Sequence, residues 1–568
     1  MKSPKLKVAF LVGNDSPSTR QSIEAVCCLP GLECVGVLMD TEVVSFRRRR
    51  KNLFRNIRTN GWSYPVFRIV KAICTVTSTA VNNAAVSRTE VGKVLKEAFP
   101  NTCFSLAELG EKYGMTIHSV GSLNSTNAIR VLRECGADLG IVVGTRILKA
   151  STFGVPRMGC INLHKGKVPE YRGMPPGFWE LYNGSSSASV TVHFVDKGLD
   201  TGDIVATSSV SIQKTETPES LLEKLHSEGS RALALAVALI RDGKATPQPQ
   251  RKWEGKARST PTREDVAFLR RRLPHWKSKG DVPTIGRNLY LLLVYCSGLY
   301  FLVRQSHRLL RSRGAIFLHH RVNDYSKDVL TVDPATFAAQ LLAISKRYPF
   351  SSTADLVDRI LNKKPLQPTT VAVHFDDCYR DILTNGAPIM KVLSIPACAF
   401  INTGFVDTGR SFPHDVAKYP FTYEMLRSSD VQAWNSLGFE VGGHTVNHVD
   451  LGKCTVEVAS HEIVQCGRDL EKIIGKPVDL FSFPFGRPNN ISAPTRRIIQ
   501  TAGYIALFSA HGGHIGPRTD PYDIPRAGAN CESSPVYCLL QIEGLTLSQI
   551  AAKFRRIWNG YTRVATQA

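Results

Sequence analysis

Gly159-Cys-Ile-Asn162-Leu-His164 is a short apolar run ending in an amide and an imidazole two positions apart. Alternate residues of a strand point to the same side, so Asn162 and His164 share one face of a β-strand. The strand opens into a loop rich in Gly and Pro at 165–176. Similar apolar runs lie at 7–12, 34–38, 139–143 and 189–194, with helical patterns such as 18–28 and 218–241 between and after them. This alternation predicts an α/β domain with a parallel sheet over residues 1–245.

The alternation resumes downstream. Residues 315–318, 371–375, 397–402, 439–442 and 480–483 read as strands, with helices at 334–347 and 455–474. They predict a second α/β unit, barrel-like, over 313–560. At 568 residues the chain is too long for one core, and two catalytic-sized domains with a connector are the natural division. Its 43% apolar and 21% charged content is that of a globular protein.

The connector, 246–312, begins as a polar, Pro-containing stretch at 246–262 that reads as a linker. Then comes Asn288-Leu-Tyr-Leu-Leu-Leu-Val-Tyr-Cys-Ser-Gly-Leu-Tyr-Phe-Leu-Val303, followed by Arg304, Arg308, Arg311 and Arg313. The run is about 15 residues, short of the roughly 20 needed to cross a bilayer. It suits two roles equally: an interfacial helix on an anionic membrane surface, or a helix docked on the second domain. The net charge is +23, and 251–314 holds fifteen Arg/Lys against four Asp/Glu, close to half the excess. A second basic knot is Arg47-Arg-Arg-Arg-Lys51. The basic residues border an apolar, Tyr-rich run and no base-reading motif is evident, so no nucleic-acid partner is expected. Fourteen scattered cysteines without a Cys-x-x-Cys pair, and an N-terminal run that reads as a strand rather than a signal peptide, point to a cytoplasmic chain with reduced thiols.

Acyl transfer to an amine needs a donor for the oxyanion, a group of near-neutral pKa to move protons, and a carboxylate to orient it. Asn162, His164 and Asp200 of Asp196-Lys-Gly-Leu-Asp200-Thr-Gly-Asp203 supply all three. Singly, a strand-end His is more often structural and Asp-Thr-Gly-Asp can be a tight turn. Together, Asn-x-His, Pro169-Glu-Tyr-Arg-Gly173 and Leu199-Asp-Thr-Gly202 resemble the formyltransferase family that uses 10-formyltetrahydrofolate. That family includes methionyl-tRNA, glycinamide ribonucleotide and sugar N-formyltransferases. The resemblance implies a Rossmann-like domain, catalytic Asn162, His164 and Asp200, and a folate pocket flanked by Arg146, Ile147, Leu148 and Asp196. The chain departs from the family at Lys165-Gly-Lys167, where relatives carry a Ser-Leu type sequence, which leaves the acceptor pocket open. Gly13-Asn-Asp-Ser-Pro-Ser is a poor phosphate fingerprint, so no nucleotide cofactor is expected.

The second constellation is Thr370-Val-Ala-Val-His-Phe375-Asp376-Asp377 with Val441-Gly-Gly-His444-Thr-Val-Asn-His448. A His-x3-His pair and one carboxylate make a three-ligand site with an open position for water, and a second carboxylate can act as base. Taken apart, Asp-Asp can cap a helix and His-x3-His can be surface decoration. In combination they resemble the polysaccharide deacetylase family with the NodB-type domain, a distorted β/α barrel. The resemblance implies Asp376 as base, Asp377, His444 and His448 as ligands of zinc or another divalent ion, and Phe485 of Ser482-Phe-Pro-Phe485 offering its backbone N–H to the oxyanion. The Arg that usually opens that motif is absent; Arg526 is a candidate to replace it. No late Leu-x-x-His is found for the general acid, and His511 and His514 are loop histidines nearby.

A deacetylase yields a free amine and a formyltransferase consumes one. The fusion therefore predicts a bifunctional enzyme that exchanges N-acetyl for N-formyl on an amino sugar, in cell-envelope or exported glycan biosynthesis. The substrate would be a sugar nucleotide or a lipid-linked saccharide at the inner face of the cytoplasmic membrane. Two alternatives stay open: a formyltransferase joined to a deformylase acting on a lipid-linked amino sugar, and a non-catalytic, membrane-associated scaffold.

Overall fold

A computed structural model describes residues 5–42, 63–214, 216–250, 257–273, 282–310, 313–326, 328–366, 368–418 and 422–553, with residues 50, 54, 57 and 555. The knot at 47–51, Arg50 apart, lies outside the described residues, as do 251–256, 274–281 and Arg311 of the basic connector. The chain forms two compact units, Met1–Ile69 with Asn101–Lys279, and Val70–Pro100 with Gly280–Ala568.

The first unit is a seven-stranded sheet in the order β3-β2-β1-β4-β5-β6-β7. The strands are β1 (Leu6–Val12), β2 (Leu32–Asp40), β3 (Thr116–Val120), β4 (Leu139–Val143), β5 (Cys160–His164), β6 (Ser187–Phe194) and β7 (Ile204–Ser211). The first five run parallel, and β6 and β7 are antiparallel. Every residue of β4 and the last five of β1 are buried, which is why these strands read as unbroken apolar runs. Helix α1 (Pro17–Cys27), capped by Ser16, follows β1. A Cβ on Gly13 would lie 2.0 Å from the Gly144 carbonyl oxygen, so the loops after β1 and β4 touch. They meet where the strand order reverses, the place at which open α/β sheets bind ligands.

The connection from β2 to β3 carries α2 (Ser63–Ala85) and α3 (Arg88–Ala98). After β5 come α4 (Phe178–Asn183), α5 (Pro218–Arg241) and α6 (Arg263–Arg272). α5 buries Leu221, Leu225 and Leu233 on the sheet. The division differs from the expected boundary at 245. Gln248 exchanges backbone hydrogen bonds of 2.8 Å with Ile204 of the edge strand β7. Arg258 pairs with the 172–174 loop, and Leu269 of α6 is fully buried in the same core. Edge pairing uses backbone groups, so a polar, Pro-containing sequence gives no sign of it.

In the second unit the chain enters through α7 (Val282–Cys296) and α8 (Leu299–Leu310). The expected single helix at 288–303 is broken at Gly298, φ +84°, and the two halves meet at 60°. Leu291, Val294, Tyr295 and Tyr300 are buried with Val81 and Ala85 of α2. Among the described residues no single helix is long and apolar enough to cross a membrane. The sheet has the order β15-β14-β13-β12-β11-β8-β16, all parallel. It is built from β8 (Gly314–His319), β11 (Thr370–Asp376), β12 (Ala397–Ile401), β13 (Glu440–Gly443), β14 (Leu480–Ser482), β15 (Ala506–Phe508) and β16 (Ala527–Gly528), with β9 (Arg321–Val322) and β10 (Thr331–Val332) forming a separate pair. Ile524 pairs with Phe508 of β15 while β16 pairs with β8. The segment 524–528 therefore bridges the two edges and draws the sheet into a distorted barrel. Helices α9 (Pro334–Ser345), α10 (Pro413–Lys418) and α11 (Pro535–Ile542) follow β10, β12 and β16. The insertion at 70–100 joins this unit because its apolar side chains complete the cluster formed by α7, α9 and α11.

Two candidate active sites

In the first unit β5 carries Asn162 and His164 to the mouth of the sheet, and the β6–β7 connection brings Asp200 over them. Asn162 Nδ2 lies 3.5 Å from Asp200 Oδ1 and His164 Nδ1 lies 3.4 Å from Asp200 Oδ2. Asp200 stands at φ +54°. It is held there by the Gly173 N–H, which donates to Oδ2 at 3.1 Å, and by Gln250, whose Nε2 donates to the Asp200 and Gly202 carbonyls at 3.0 and 2.8 Å. Burial alone would raise the Asp200 pKa; the His193 and His164 rings and the Gly173 amide outweigh it and keep the carboxyl below its ordinary range. Burial pushes His164 down, opposed by Asp200 and by the Tyr171 carbonyl 2.9 Å from Nε2.

His193 and Gln250 join the site without belonging to any of the motifs in the sequence. His193 sits opposite Asn162 in the β5–β6 register, with Nε2 3.3 Å from Asn162 Nδ2. Its Nδ1 is 2.7 Å from the Phe194 carbonyl oxygen, and its Nε2 also faces Asp200 Oδ1 at 3.7 Å. Register could not be read from one strand. The expected folate-flanking residues divide. The loop 144–148 lies at the β1/β4 crossover, with Ile147 72% exposed and Leu148 buried. The Arg146 side chain turns to Glu42 at 2.5 Å. Asp196 accepts from Thr201 Oγ1 and the Gly198 amide at 2.7 and 3.0 Å, building the turn that presents Asp200.

In the second unit the strand ends converge on Asp377, His444 and His448, whose ligand atoms all lie within 4.8 Å of one another. Asp377 Oδ1 is 3.7 Å from His444 Nε2 and 3.4 Å from His448 Nε2. It is buried with no hydrogen-bond partner, and burial raises the Asp377 pKa. His444 Nδ1 lies 2.7 Å from the Ser482 carbonyl, which puts the proton on Nδ1 and turns the lone pair of Nε2 to the site. Burial lowers both imidazoles to about 4, so they are neutral at pH 7. Two neutral imidazoles and an orphaned carboxylate oxygen fit a divalent cation and leave a position open.

Asp376 is gripped from the barrel-closing segment. Arg526, fully buried, donates Nη1 to Oδ1 at 2.7 Å and Nη2 to Oδ2 at 2.6 Å, and also reaches Ser482 Oγ at 2.7 Å and the Ser509 carbonyl at 2.8 Å. Burial would raise the Asp376 pKa, but Arg526 and then His444 hold it well below the usual carboxylate range. Phe485, 54% exposed, sets its ring edge-on to His448 at 4.9 Å. Five of the eight non-glycine residues with positive φ among the described residues are Asp200, Asp377, Thr445, His448 and Phe485; such backbone is tolerated where the surroundings over-determine it. Glu462 does so here, accepting from the Asn447 amide and side chain at 2.7 Å each. Of the expected loop histidines, His514 faces the Ile542 carbonyl at 2.8 Å and His511 pairs with Asp523 at 3.2 Å. His414 at the start of α10 was not foreseen. Its ring stands 6.4 Å from that of His448 and its Nε2 3.5 Å from Tyr379 Oη. His320 follows β8.

Residues 68–237 match the family model for formyl transferase, and residues 363–507 match that for polysaccharide deacetylase. The chain carries a formyl transferase domain followed by a polysaccharide deacetylase domain. The formyl transferase domain is similar to the methionyl-tRNA formyltransferase of Agathobacter rectalis, 36% identical over 28% of this chain and 51% of that protein. It is also similar to that of Thermodesulfovibrio yellowstonii, 35% identical over 24% of this chain and 45% of that protein. The chain thus spans about half the length of the curated relatives it matches. Among solved structures, the deacetylase PplD of Streptococcus pyogenes covers 40% of this chain and 98% of its own, at 21% identity and a TM-score of 0.36. The phosphoribosylglycinamide formyltransferase of Anaplasma phagocytophilum covers 44% of this chain and 95% of its own, at 18% identity and a TM-score of 0.29.

Proposed function

We propose that the protein removes the N-acetyl group of an amino sugar at its second site and formylates the freed amine at its first, taking the formyl group from 10-formyltetrahydrofolate. The observation that carries this reading is the pairing, in one chain, of an orphaned Asp377 carboxylate facing two imidazoles with the Asn162–His164–Asp200 set. Asp377, His444 and His448 would hold a divalent cation, which would supply Lewis acidity and lower the pKa of a water at the open position. Asp376, kept ionised by Arg526, accepts the proton of the attacking water. His414, whose ring lies 6.4 Å from that of His448, would return a proton to the leaving amine. In the formyl transferase domain the Asn162 amide donates to the developing oxyanion and His164 takes the proton shed by the attacking amine. Asp200 orients His164 and steadies its charged form. A folate donor ties both steps to the cytosol, and the substrate is a precursor, either a sugar nucleotide or a lipid-linked saccharide.

The test incubates the chain with N-acetylated sugar nucleotides and lipid-linked saccharides, zinc and 10-formyltetrahydrofolate. Acetate release and formylated product are followed by mass spectrometry. Asp377→Ala should stop acetate release yet leave formylation of a free amine intact, and His164→Ala should do the reverse. Failure of either half-reaction across a broad panel overturns the reading. Hydrolysis of N-formyl in preference to N-acetyl sugars would reverse the order of the two steps.

A further inference from the structure

Helices α2, α7 and α8 share an inner, docked side. Asn288 of α7 donates to Ser78 Oγ of α2 at 3.0 Å, and Val81 and Ala85 pack in the cluster that holds Leu291, Val294, Tyr295 and Tyr300. Polar contacts pin that side further. Buried Glu543 takes His307 Nδ1, the Arg313 guanidinium at 2.5 Å and the Tyr348 hydroxyl at 2.7 Å. The outer side is also apolar, with Val76 67%, Leu293 67%, Leu302 71% and Leu309 69% exposed, and Leu289 and Phe301 about half exposed (52% and 46%). Large apolar side chains gathered on a surface mark a site that something covers.

Charge selects the occupant. Residues 70–85 and 282–310 contain no Asp or Glu; Arg308 of α8 is exposed and Arg287 of α7 part-exposed, while Arg304 is drawn inward to the Arg347 carbonyl and the Tyr348 ring. A second copy of this face would set cation against cation, whereas an anionic bilayer neutralises it and takes up the leucines. We propose that α2, α7 and α8 form a platform seating the second unit on the surface of an anionic phospholipid bilayer. The leucines enter the acyl boundary, and Arg308 with Arg287 meets the head groups.

The test is flotation of the full chain with vesicles of phosphatidylglycerol and phosphatidylethanolamine, against phosphatidylcholine alone, at low and high salt. The protein should float with the anionic vesicles, less so as salt screens the head groups. Leu293→Ser with Leu302→Ser should weaken partitioning by roughly tenfold or more, since each removes an apolar side chain worth more than 1.4 kcal/mol on burial. Arg308→Glu, a reversal at an exposed position, should weaken it without touching the apolar face. Unchanged circular dichroism and unfolding midpoint would show both variants folded. Absence of flotation, or flotation indifferent to all three substitutions, overturns the proposal. A dimer that the Leu variants abolish, without lipid binding, would assign the face to a second copy instead.

Discussion

Replacing Arg526 by Met removes the guanidinium that grips Asp376 and leaves Asp377, His444 and His448 in place. Two unit charges about 4 Å apart in a protein of effective dielectric about 20 attract by about 4 kcal/mol. Losing that attraction raises the Asp376 pKa by about 3 units, at 1.36 kcal/mol per unit. Leaving the carboxylate buried and unpaired costs about 3–5 kcal/mol of folding stability. In the native protein the folded pKa of Asp376 is depressed, so its stabilising contribution is present above the unfolded carboxylate value and lost as pH falls through that value towards the folded one. In Arg526→Met the sign reverses, and the penalty grows as pH rises above the unfolded value. Three measurements check this: urea unfolding at pH 5 and 8, zinc stoichiometry, and the acid limb of the deacetylation pH–rate profile. The variant should bind zinc, lose stability most at pH 8, and show its acid limb displaced upward. Asp376→Asn with Arg526→Met should regain most of the stability, because no unpaired charge is then buried. An acid limb that stays put, with turnover within a few-fold of the parent, would refute the assignment of Asp376 as a base held by Arg526.

Other substitutions probe the remaining contacts. Asp377→Ala should abolish stoichiometric zinc binding and the zinc-dependent rise in unfolding temperature, read by metal analysis and scanning calorimetry. His193→Phe removes the ring nitrogen that faces the Asn162 amide, and formyl transfer should fall by about fivefold, the worth of about 1 kcal/mol for one net hydrogen bond, with deacetylation unchanged. Leu269→Ala, in a fully buried position of α6, should destabilise the first unit by about 2–5 kcal/mol in urea unfolding, whereas a dispensable linker would lose nothing. His414→Gln should lower deacetylase turnover more than His511→Gln, and equal effects would remove His414 from the proton path.

Much of the fold was legible in order along the chain. Strands buried on both faces announce themselves as unbroken apolar runs, and β1, β4, β11 and β12 fall where the sequence placed them. The same holds for chemistry carried by near neighbours: Asn162 and His164 on alternate strand positions, Asp376 beside Asp377, and His444 four before His448. Such relations depend only on local backbone geometry, which spacing encodes. Edge strands, long-range contacts and unit boundaries were not legible. The sequence reading ended the first domain at 245 because a polar stretch carries no periodicity, yet Gln248, Gln250 and Arg258 pair through backbone and amide groups available to any sequence.

What the sequence determined by itself was the pair of α/β units and the local halves of each site. What only the tertiary structure decided was which distant groups complete them. His193 reaches Asn162 by strand register, Gln250 clamps Asp200 from beyond the expected boundary, and Arg526 meets Asp376 across 150 residues because the 524–528 segment closes the barrel. Residues 70–100 likewise leave the sheet they are inserted in to complete the core of the second unit. Each is a pairing between surfaces far apart in the chain, selected by burial and charge once the strands are in register, and no local pattern of residues records it.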